Sequence, residues 1–241
     1  MIYFLIPVYN EQENLKLLSE SLITCLPESE KHFVFVDDCS TDQTVDTLKS
    51  LFPSNSLEII VKDKNQGPGN SFNIGFNWIL ENCNSKNDII VTLEGDNTSD
   101  IAILQKMVQI SNLGFDLVLA SVYAQGGGFD DTGIVRKFLS LFANIFFRFF
   151  FNVKILTLSS FYRVYKVDLL MNIKNKYGEL IAENGFISML EILIKIIRSG
   201  GSIIEVPMIL YSKKRAGKSK MKVFKTFISY FVFLLKSRRL N

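Results

Sequence analysis

Apolar and polar positions in the first half of the chain repeat in the order strand, polar turn, helix. The apolar runs lie at residues 2–8, 33–36, 57–61, 88–93 and 116–120. A polar cluster and a helical periodicity follow each of the first four runs. Strands separated by helices of this length predict a parallel sheet with helices on both faces. We therefore predict an α/β fold, and we assign residues 1–222 to one domain.

The polar clusters predict a functional edge of this sheet. Ligands of such sheets bind beyond the carboxyl ends of the strands. Six polar side chains fall there: Asn10, Glu11, Asp38, Asn65, Glu94 and Asp96. Glu94 and Asp96 are two residues apart, so both point to the same side of an extended chain. One or two carboxylates with substrate phosphates bind Mg²⁺ or Mn²⁺. Together with Asp37-Asp38 at the neighbouring strand end and a basic, glycine-containing loop near the C-terminus, this pair predicts a divalent metal and a nucleotide-activated donor.

A phenylalanine-dense segment at residues 134–151 predicts an amphipathic helix. It holds seven of the 21 phenylalanines, and its polar residues recur at every fourth position as one stripe: Arg136, Ser140, Asn144 and Arg148. Its charges leave too short an apolar run for a transmembrane helix, which needs about 20 residues. The segment fits a helix buried in the core or one at a membrane interface. We favour the interface, because two buried arginines need anionic partners.

The charge of the chain is divided between an acidic body and a basic tail. Residues 1–205 carry a net charge of −7, whereas ten basic and no acidic residues follow Glu205. Residues 223–241 combine an apolar stretch, too short to span a bilayer, with flanking basic residues. This pattern predicts an amphipathic tail on an anionic membrane surface, with a solvated basic tail as the alternative. Nucleic acid is a weaker interpretation, because the acidic body repels it.

The content of histidine and cysteine excludes several classes of chemistry. The chain has one histidine, His32, and three cysteines with no C-x-x-C pair. The sequence therefore argues against a zinc site, a disulfide framework and histidine-based hydrolysis. The free cysteines are typical of a reducing compartment, and we expect a peripheral protein at the cytoplasmic face of the membrane.

An ordered set of motifs is similar to that of one enzyme family. Three early motifs resemble the GT-A family 2 glycosyltransferases: Pro7-Val8-Tyr9-Asn10-Glu11, Val36-Asp37-Asp38-Cys39-Ser40-Thr41-Asp42 and Glu94-Gly95-Asp96. The later motifs are similar to the polyprenyl-phosphate branch, typified by dolichyl-phosphate mannosyltransferase. They are the stripe from Arg136 to Arg148, Ser159-Ser160-Phe161-Tyr162-Arg163, Gly185-Phe186 with Glu191, Glu205-Val206-Pro207 and Arg215-x-Gly217-x-Ser219-Lys220. The resemblance extends to about Val223.

The resemblance implies roles for individual residues. It implies that the nucleotide is bound by Pro7, Tyr9, Glu11, Asp38 and Glu94, and that Asp38 reads the base. The implied metal ligands are Glu94 and Asp96. The implied catalytic residues, which act with the metal on the departing diphosphate, are Asp96, Arg215 and Lys220. The residues implied to bind the acceptor phosphate are Arg136, Arg148 and Arg163. Three positions depart from the family pattern: Glu94 and Thr157 replace aspartates, and Phe161 replaces a glycine.

The resemblance implies an inverting transfer of a hexose from a UDP- or GDP-sugar to a polyprenyl phosphate such as dolichyl or undecaprenyl phosphate, with Mg²⁺ or Mn²⁺ as cofactor. A phosphate monoester is largely dianionic at pH 7 and attacks without a base. A saccharide hydroxyl needs a carboxylate base, for which Glu183 is the candidate. Transfer to a saccharide hydroxyl in surface polysaccharide synthesis and a non-catalytic partner with the same fold remain alternatives. The expected partners are the donor, the lipid acceptor and the membrane surface, and the short C-terminal segment leaves room for a membrane-protein partner.

Overall fold

The structure is a computed structural model that describes residues 1–130, 132–217, 229–230 and 232–233. At residues 135, 136 and 139 it describes the backbone and not the side chain. The predictions for Lys220 and for most of the tail at residues 223–241 lie outside the described residues.

A mostly parallel sheet lies at the centre of the fold. The described residues form the strands β1 (Ile2–Val8), β2 (Lys31–Asp37), β3 (Leu57–Val61), β4 (Ile89–Thr92), β5 (Leu117–Ser121), β6 (Gly128–Asp130), β7 (Arg163–Lys166), β8 (Ile203–Pro207) and β9 (Ile209–Tyr211). Seven of these strands form the main sheet in the order β3–β2–β1–β4–β7–β5–β8, and β6 pairs with β9 in a separate parallel pair. The five apolar runs of the first half are all strands, as predicted.

The strand β7 is the one departure from a parallel arrangement in the main sheet. It lies antiparallel between β4 and β5. The sequence analysis did not predict this strand, because a four-residue segment that begins with Arg163 gives too short an apolar pattern.

Helices cover both faces of the sheet. They are α1 (Gln12–Thr24), α2 (Thr44–Leu51), α3 (Pro68–Asn82), α4 (Leu104–Asn112), α5 (Ile134–Phe151), α6 (Val167–Tyr177) and α7 (Ser188–Arg198). The helices α1, α2 and α4 contribute to one hydrophobic core cluster, and α3, α6 and α7 contribute to the other. The helix α5 has the bounds that the sequence predicts.

The strand order positions the candidate site. The strand β1 lies between β2 and β4, with Val8 opposite Asp37 and Leu5 opposite Thr92. The chain therefore winds outward in both directions from β1, and in sheets of this kind ligands bind beyond the carboxyl ends of the strands at such a reversal. The predicted polar turns follow these strand ends.

Candidate active site

Hydrogen bonds join the turns that follow β1 and β2. The backbone N–H of Asn10 donates to Oγ of Ser40 (2.8 Å), and that of Thr41 donates to Oδ1 of Asn10 (2.7 Å). The backbone N–H of Glu11 donates to Oγ1 of Thr44 (2.9 Å). The two turns therefore form one connected edge, which carries the predicted nucleotide residues at the end of β1.

Close packing at Gly95 joins this edge to the carboxylate pair. A Cβ at Gly95 would lie 3.1 Å from Cγ1 of Val8 and 3.4 Å from the carbonyl oxygen of Pro7. It would also lie 3.6 Å from Cγ of Glu11. The structure thus brings Pro7 and Glu11 next to the segment that carries Glu94 and Asp96.

Hydroxyl groups orient both carboxylates. Oε2 of Glu94 accepts a hydrogen bond from Ser99 (2.5 Å), and Oδ1 of Asp96 accepts one from the hydroxyl of Thr98 (2.6 Å). Asn97, with φ of +62°, turns the chain so that these hydroxyls face back toward the carboxylates. Burial, and secondly the negative charge of Asp96, raise the pKa of Glu94, while the hydrogen bond from Ser99 opposes the rise.

The carboxylate pair fits a hard divalent cation that substrate phosphates complete. The charge of Asp96 acts unfavourably on Glu94, so a cation between them would relieve the repulsion. Within the described ranges, no group of three or more histidine, cysteine, aspartate or glutamate side chains is placed to hold a metal. One or two carboxylates with phosphate oxygens are an ordinary site for Mg²⁺. Glu94 and Asp96 are the residues that would hold the ion.

The guanidinium of Arg215 lies against Asp96. Its Nε donates to Oδ2 of Asp96 (2.7 Å), and its Nη2 donates to the same oxygen. Arg215 follows β9 and the short helical turn Ser212–Lys214. The structure therefore brings two predicted catalytic residues, 119 positions apart, into one ion pair.

Asp38 is buried and bonded within the protein. Its Oδ1 accepts from Nζ of Lys62 (2.6 Å) and from the backbone N–H of Gln66 (2.8 Å), and its Oδ2 accepts from that of Gly67 (2.8 Å). This geometry does not support the prediction that Asp38 reads the base, because its acceptor atoms already hold the loop after β3. The sequence analysis missed Lys62, a buried lysine directly after a strand.

The loop before α7 packs on the start of α3, which follows the loop held by Asp38. The backbone N–H of Gly69 donates to the carbonyl oxygen of Asn184 (2.7 Å). The carboxylate of Glu191 accepts hydrogen bonds from the backbone N–H groups of Ala182 (3.0 Å) and Glu183 (2.9 Å) and pairs with Lys195. The segment with Glu183, the candidate base for a saccharide acceptor, is thus held by Glu191.

The structure buries Arg163 completely. Its relative exposure is 0%, and its guanidinium donates to the carbonyl oxygens of Ser160, Leu158 and Met189. We correct the prediction that Arg163 binds the acceptor phosphate: the side chain holds the loop before β7 and has no exposed surface for a ligand.

The helix α5 packs on the protein through Asn144, in the middle of its polar stripe, and through Phe147, which lies in the core. Asn144 is buried, its amide nitrogen donates to the carbonyl oxygen of Leu156, and Ser140 bonds with Tyr123 (2.7 Å). The large apolar side chains of the helix are mostly exposed: Ile134, Phe138, Leu141, Phe142, Ile145, Phe149 and Phe150. Phe149 is 82% exposed. Among the helices that the structure describes, none is long and apolar enough to cross a bilayer.

The start of α5 lies beside the segment that carries Arg215. Thr132, two residues before α5, bonds with Ser212 (2.6 Å). The backbone N–H of Tyr211 donates to the carbonyl oxygen of Thr98 (3.0 Å), in the turn of the carboxylate pair. Arg136 is in the first turn of α5, whereas Arg148 is about 18 Å further along the helix axis. The guanidinium of Arg148 donates to the carbonyl oxygen of Lys154 (3.3 Å).

Asn14 is a further site residue that the sequence analysis missed. It is buried at 3% exposure in the first turn of α1, and its amide bonds with the backbone of Ala216, beside Arg215. The helical periodicity of the sequence could have identified Asn14, because it lies on the same helix face as Leu18 and Leu22. A polar residue on such an apolar face needs a buried partner.

Two known proteins are similar to this chain over most of its length. Polyprenol monophosphomannose synthase of Mycolicibacterium smegmatis is 29% identical over 220 residues, which cover 90% of this chain and 79% of that protein. Undecaprenyl-phosphate mannosyltransferase of Micrococcus luteus is 28% identical over 220 residues, which cover 90% and 86%.

Solved structures show the same fold. A crystal structure of glucosyl-3-phosphoglycerate synthase from Mycobacterium tuberculosis with Mn²⁺, UDP-glucose and phosphoglyceric acid has a TM-score of 0.68. It is 14% identical, and the match covers 97% of this chain and 79% of that one. The predicted α/β GT-A fold is therefore confirmed, with its mostly parallel sheet flanked by helices.

A sequence profile described as Glycosyl transferase family 2 matches residues 3–174, and the chain belongs to that family.

Proposed function

We propose that this protein transfers a hexose from a nucleoside-diphosphate sugar to a polyprenyl phosphate, with inversion at the anomeric carbon. The observation that carries the proposal is the orientation of α5. Its exposed apolar face begins beside the Asp96–Arg215 ion pair, so a lipid-binding surface adjoins a diphosphate-binding site. The two mannosyltransferase relatives, named for polyprenol and undecaprenyl-phosphate, support the same acceptor class.

The donor binds along the edge formed by the ends of β1, β2 and β4. Pro7, Tyr9 and Glu11 line the nucleotide side, and Glu94 and Asp96 are the residues that would hold a divalent ion. Such an ion neutralises charge on the leaving nucleoside diphosphate. Arg215, already beside Asp96, supplies a second positive group for the same charge. Lys220 is proposed for this role as well.

The acceptor phosphate binds near the start of α5. Arg136 is the nearer of the two arginines of the stripe, because it lies in the first turn of the helix. Four phenylalanines of the helix, Phe138, Phe142, Phe149 and Phe150, are exposed and form the surface that we propose for the isoprenoid chain and for the membrane. We assign Arg148, at the other end of α5, to the lipid headgroup region, and we propose a peripheral location at the cytoplasmic face.

The reaction needs no protein base. The acceptor is already largely dianionic at neutral pH, so one of its oxygens attacks the anomeric carbon directly. The C–O bond to the donor diphosphate breaks as the new bond forms, and the leaving electron pair stays on the diphosphate. The protein contributes alignment of the two substrates and stabilisation of the leaving group.

A transfer assay tests the function. Purified protein is incubated with Mn²⁺ or Mg²⁺, a short polyprenyl phosphate and a panel of labelled UDP- and GDP-hexoses, and label is counted in the organic phase. We expect one donor to give extractable product, and we expect Asp96→Ala to give none. Glu183→Gln is the matched control, because it removes the candidate base for a hydroxyl acceptor and should transfer to lipid normally.

The alternatives give different results. Label that moves to a saccharide acceptor but not to lipid, with loss of transfer in Glu183→Gln, would establish the hydroxyl-acceptor reaction. Nucleotide binding without transfer to either acceptor would establish a non-catalytic protein of the same fold.

A further inference from the structure

One buried amide joins the first helix to the segment that carries Arg215. Oδ1 of Asn14 accepts a hydrogen bond from the backbone N–H of Ala216 (2.8 Å), and Nδ2 of Asn14 donates to the carbonyl oxygen of Ala216 (3.3 Å). The two residues are 202 positions apart. We refer to this pair of hydrogen bonds as the Asn14–Ala216 bridge.

The same asparagine contacts the two other parts of the site. Its Nδ2 donates to Oε2 of Glu11 (2.6 Å), in the turn after β1. Its backbone oxygen accepts from Nδ2 of Asn97 (2.8 Å), in the turn of the carboxylate pair. Asn14 therefore lies where the nucleotide edge, the carboxylates and the Arg215 segment meet.

Two points fix the backbone around Arg215. At one end, Tyr211 is held by the carbonyl oxygen of Thr98, and at the other, Ala216 is held by Asn14. Gly217, with φ of +80°, then turns the chain in a conformation that favours glycine. Arg215 lies between the two points, so its long side chain starts from a fixed backbone position. Such preorganisation reduces the entropy that is lost when the guanidinium engages an anion.

We propose that Asn14 is a positioning residue for the transfer reaction: the Asn14–Ala216 bridge holds the backbone next to Arg215 and so places the guanidinium beside Asp96, where the donor diphosphate binds. This inference rests on the proposed function for its consequence in donor binding. The bridge itself is measurable without turnover. Asn14 acts through Ala216 and Arg215 and does not touch the reacting atoms.

Two variants with a matched control test the bridge. Asn14→Asp keeps the side-chain volume but replaces the amide donor with a carboxylate oxygen that repels the carbonyl of Ala216. Asn14→Ala removes both hydrogen bonds without adding charge. Ser19→Ala is the control, because Ser19 is equally buried on α1 and its hydroxyl donates to the carbonyl oxygen of Lys16 (2.8 Å), away from the site.

The first measurement is the rate at which trypsin cleaves the Arg215–Ala216 bond in the native full-length protein, followed by mass spectrometry. Cleavage requires that the segment leave the site, so the rate reports how often the bridge opens. We expect both Asn14 variants to be cleaved about tenfold faster or more, and Ser19→Ala to match wild type. Equal rates in all four proteins, or equal acceleration in Ser19→Ala, would overturn the proposal.

The second measurement is the affinity for UDP and GDP with Mn²⁺, by calorimetry. We expect the nucleotide that binds wild type to bind the Asn14 variants about tenfold more weakly, whereas a purely structural role would reduce the folded fraction and leave the affinity unchanged. Unchanged affinity would overturn the positioning role. If wild type binds nucleotide but transfers nothing to lipid, the proposed function fails while both measurements still decide the role of Asn14.

Discussion

Nζ of Lys62 lies 2.6 Å from Oδ1 of Asp38, and both side chains are buried. This ion pair closes the loop between β3 and α3 onto the end of β2. A buried charge whose partner is removed cannot return to water without opening the fold, so the pair has a large effect when it is broken.

Lys62→Met is therefore expected to lower the free energy of unfolding by about 3–5 kcal/mol. Lys64→Met, an exposed change two residues away, should stay within about 0.5 kcal/mol of wild type. Urea denaturation of the three proteins measures the difference. Equal midpoints for the two variants would show that the pair contributes little.

Gly69→Ala is expected to destabilise the contact between the start of α3 and the loop before α7. A Cβ at Gly69 would lie 2.1 Å from the carbonyl oxygen of Glu183, a backbone atom that cannot move alone. We expect a loss of about 1–3 kcal/mol in the free energy of unfolding and weaker nucleotide binding. The control is Gly185→Ala, since a Cβ there meets nothing within 4 Å. Similar melting temperatures for both variants would contradict this packing.

Asp96→Ala should abolish metal-dependent transfer, with a loss of more than about 100-fold, since it removes both a proposed metal ligand and the partner of Arg215. The melting temperature should change little, because Asp96 lies at the edge of the sheet. Transfer activity and Mn²⁺ binding are measured on the same preparation. Wild-type activity in this variant would remove the metal hypothesis.

Two phenylalanines on the exposed face of α5 are expected to bind anionic vesicles. The double variant Phe142→Ser with Phe149→Ser should bind vesicles at least roughly tenfold more weakly, because each ring contributes apolar area that leaves water on binding. Its melting temperature should stay close to that of wild type. Leu113→Ser is the control, since Leu113 is 81% exposed directly after α4, away from α5 in the chain, and should be neutral. Equal loss from the control would mean that the contact is not specific to α5.

Stability should depend on pH through His32. Its ring stacks on Trp78, with centroids 5.5 Å apart, and burial lowers its pKa below the ordinary value of 6.5 while Glu58 opposes this shift. As the pH falls below 6.5, the unfolded chain binds a proton that the folded protein does not, so stability falls until the pH is below the lowered pKa.

His32→Phe should lack this component, because the chain has no other histidine. The difference in free energy of unfolding between wild type and variant is measured from neutral pH to about pH 5. A difference that is constant with pH would mean that the pKa of His32 is the same in the folded and unfolded states.

Features that depend on local patterns could be predicted from the amino-acid sequence. The five apolar runs became β1 to β5, the segment at residues 134–151 became α5, and the Glu94-Gly95-Asp96 segment follows β4. Each of these is encoded by residues close together in the chain, through period-two or period-3.6 repeats and the polar residues that end them.

The contacts that the side chains of these elements make depend on parts of the chain that are far apart in sequence. A stripe on α5 shows that the helix has two faces, but the hydrogen bond from Asn144 to the loop at Leu156 shows which part of that stripe is buried against the protein. Likewise, Arg163 is buried in the core and Asp38 forms an ion pair with Lys62, although the motifs that contain these two residues predicted contact with ligands. The bridge from Asn14 to Ala216 joins residues 202 positions apart, and a contact at that separation depends on the folded path of the whole sheet.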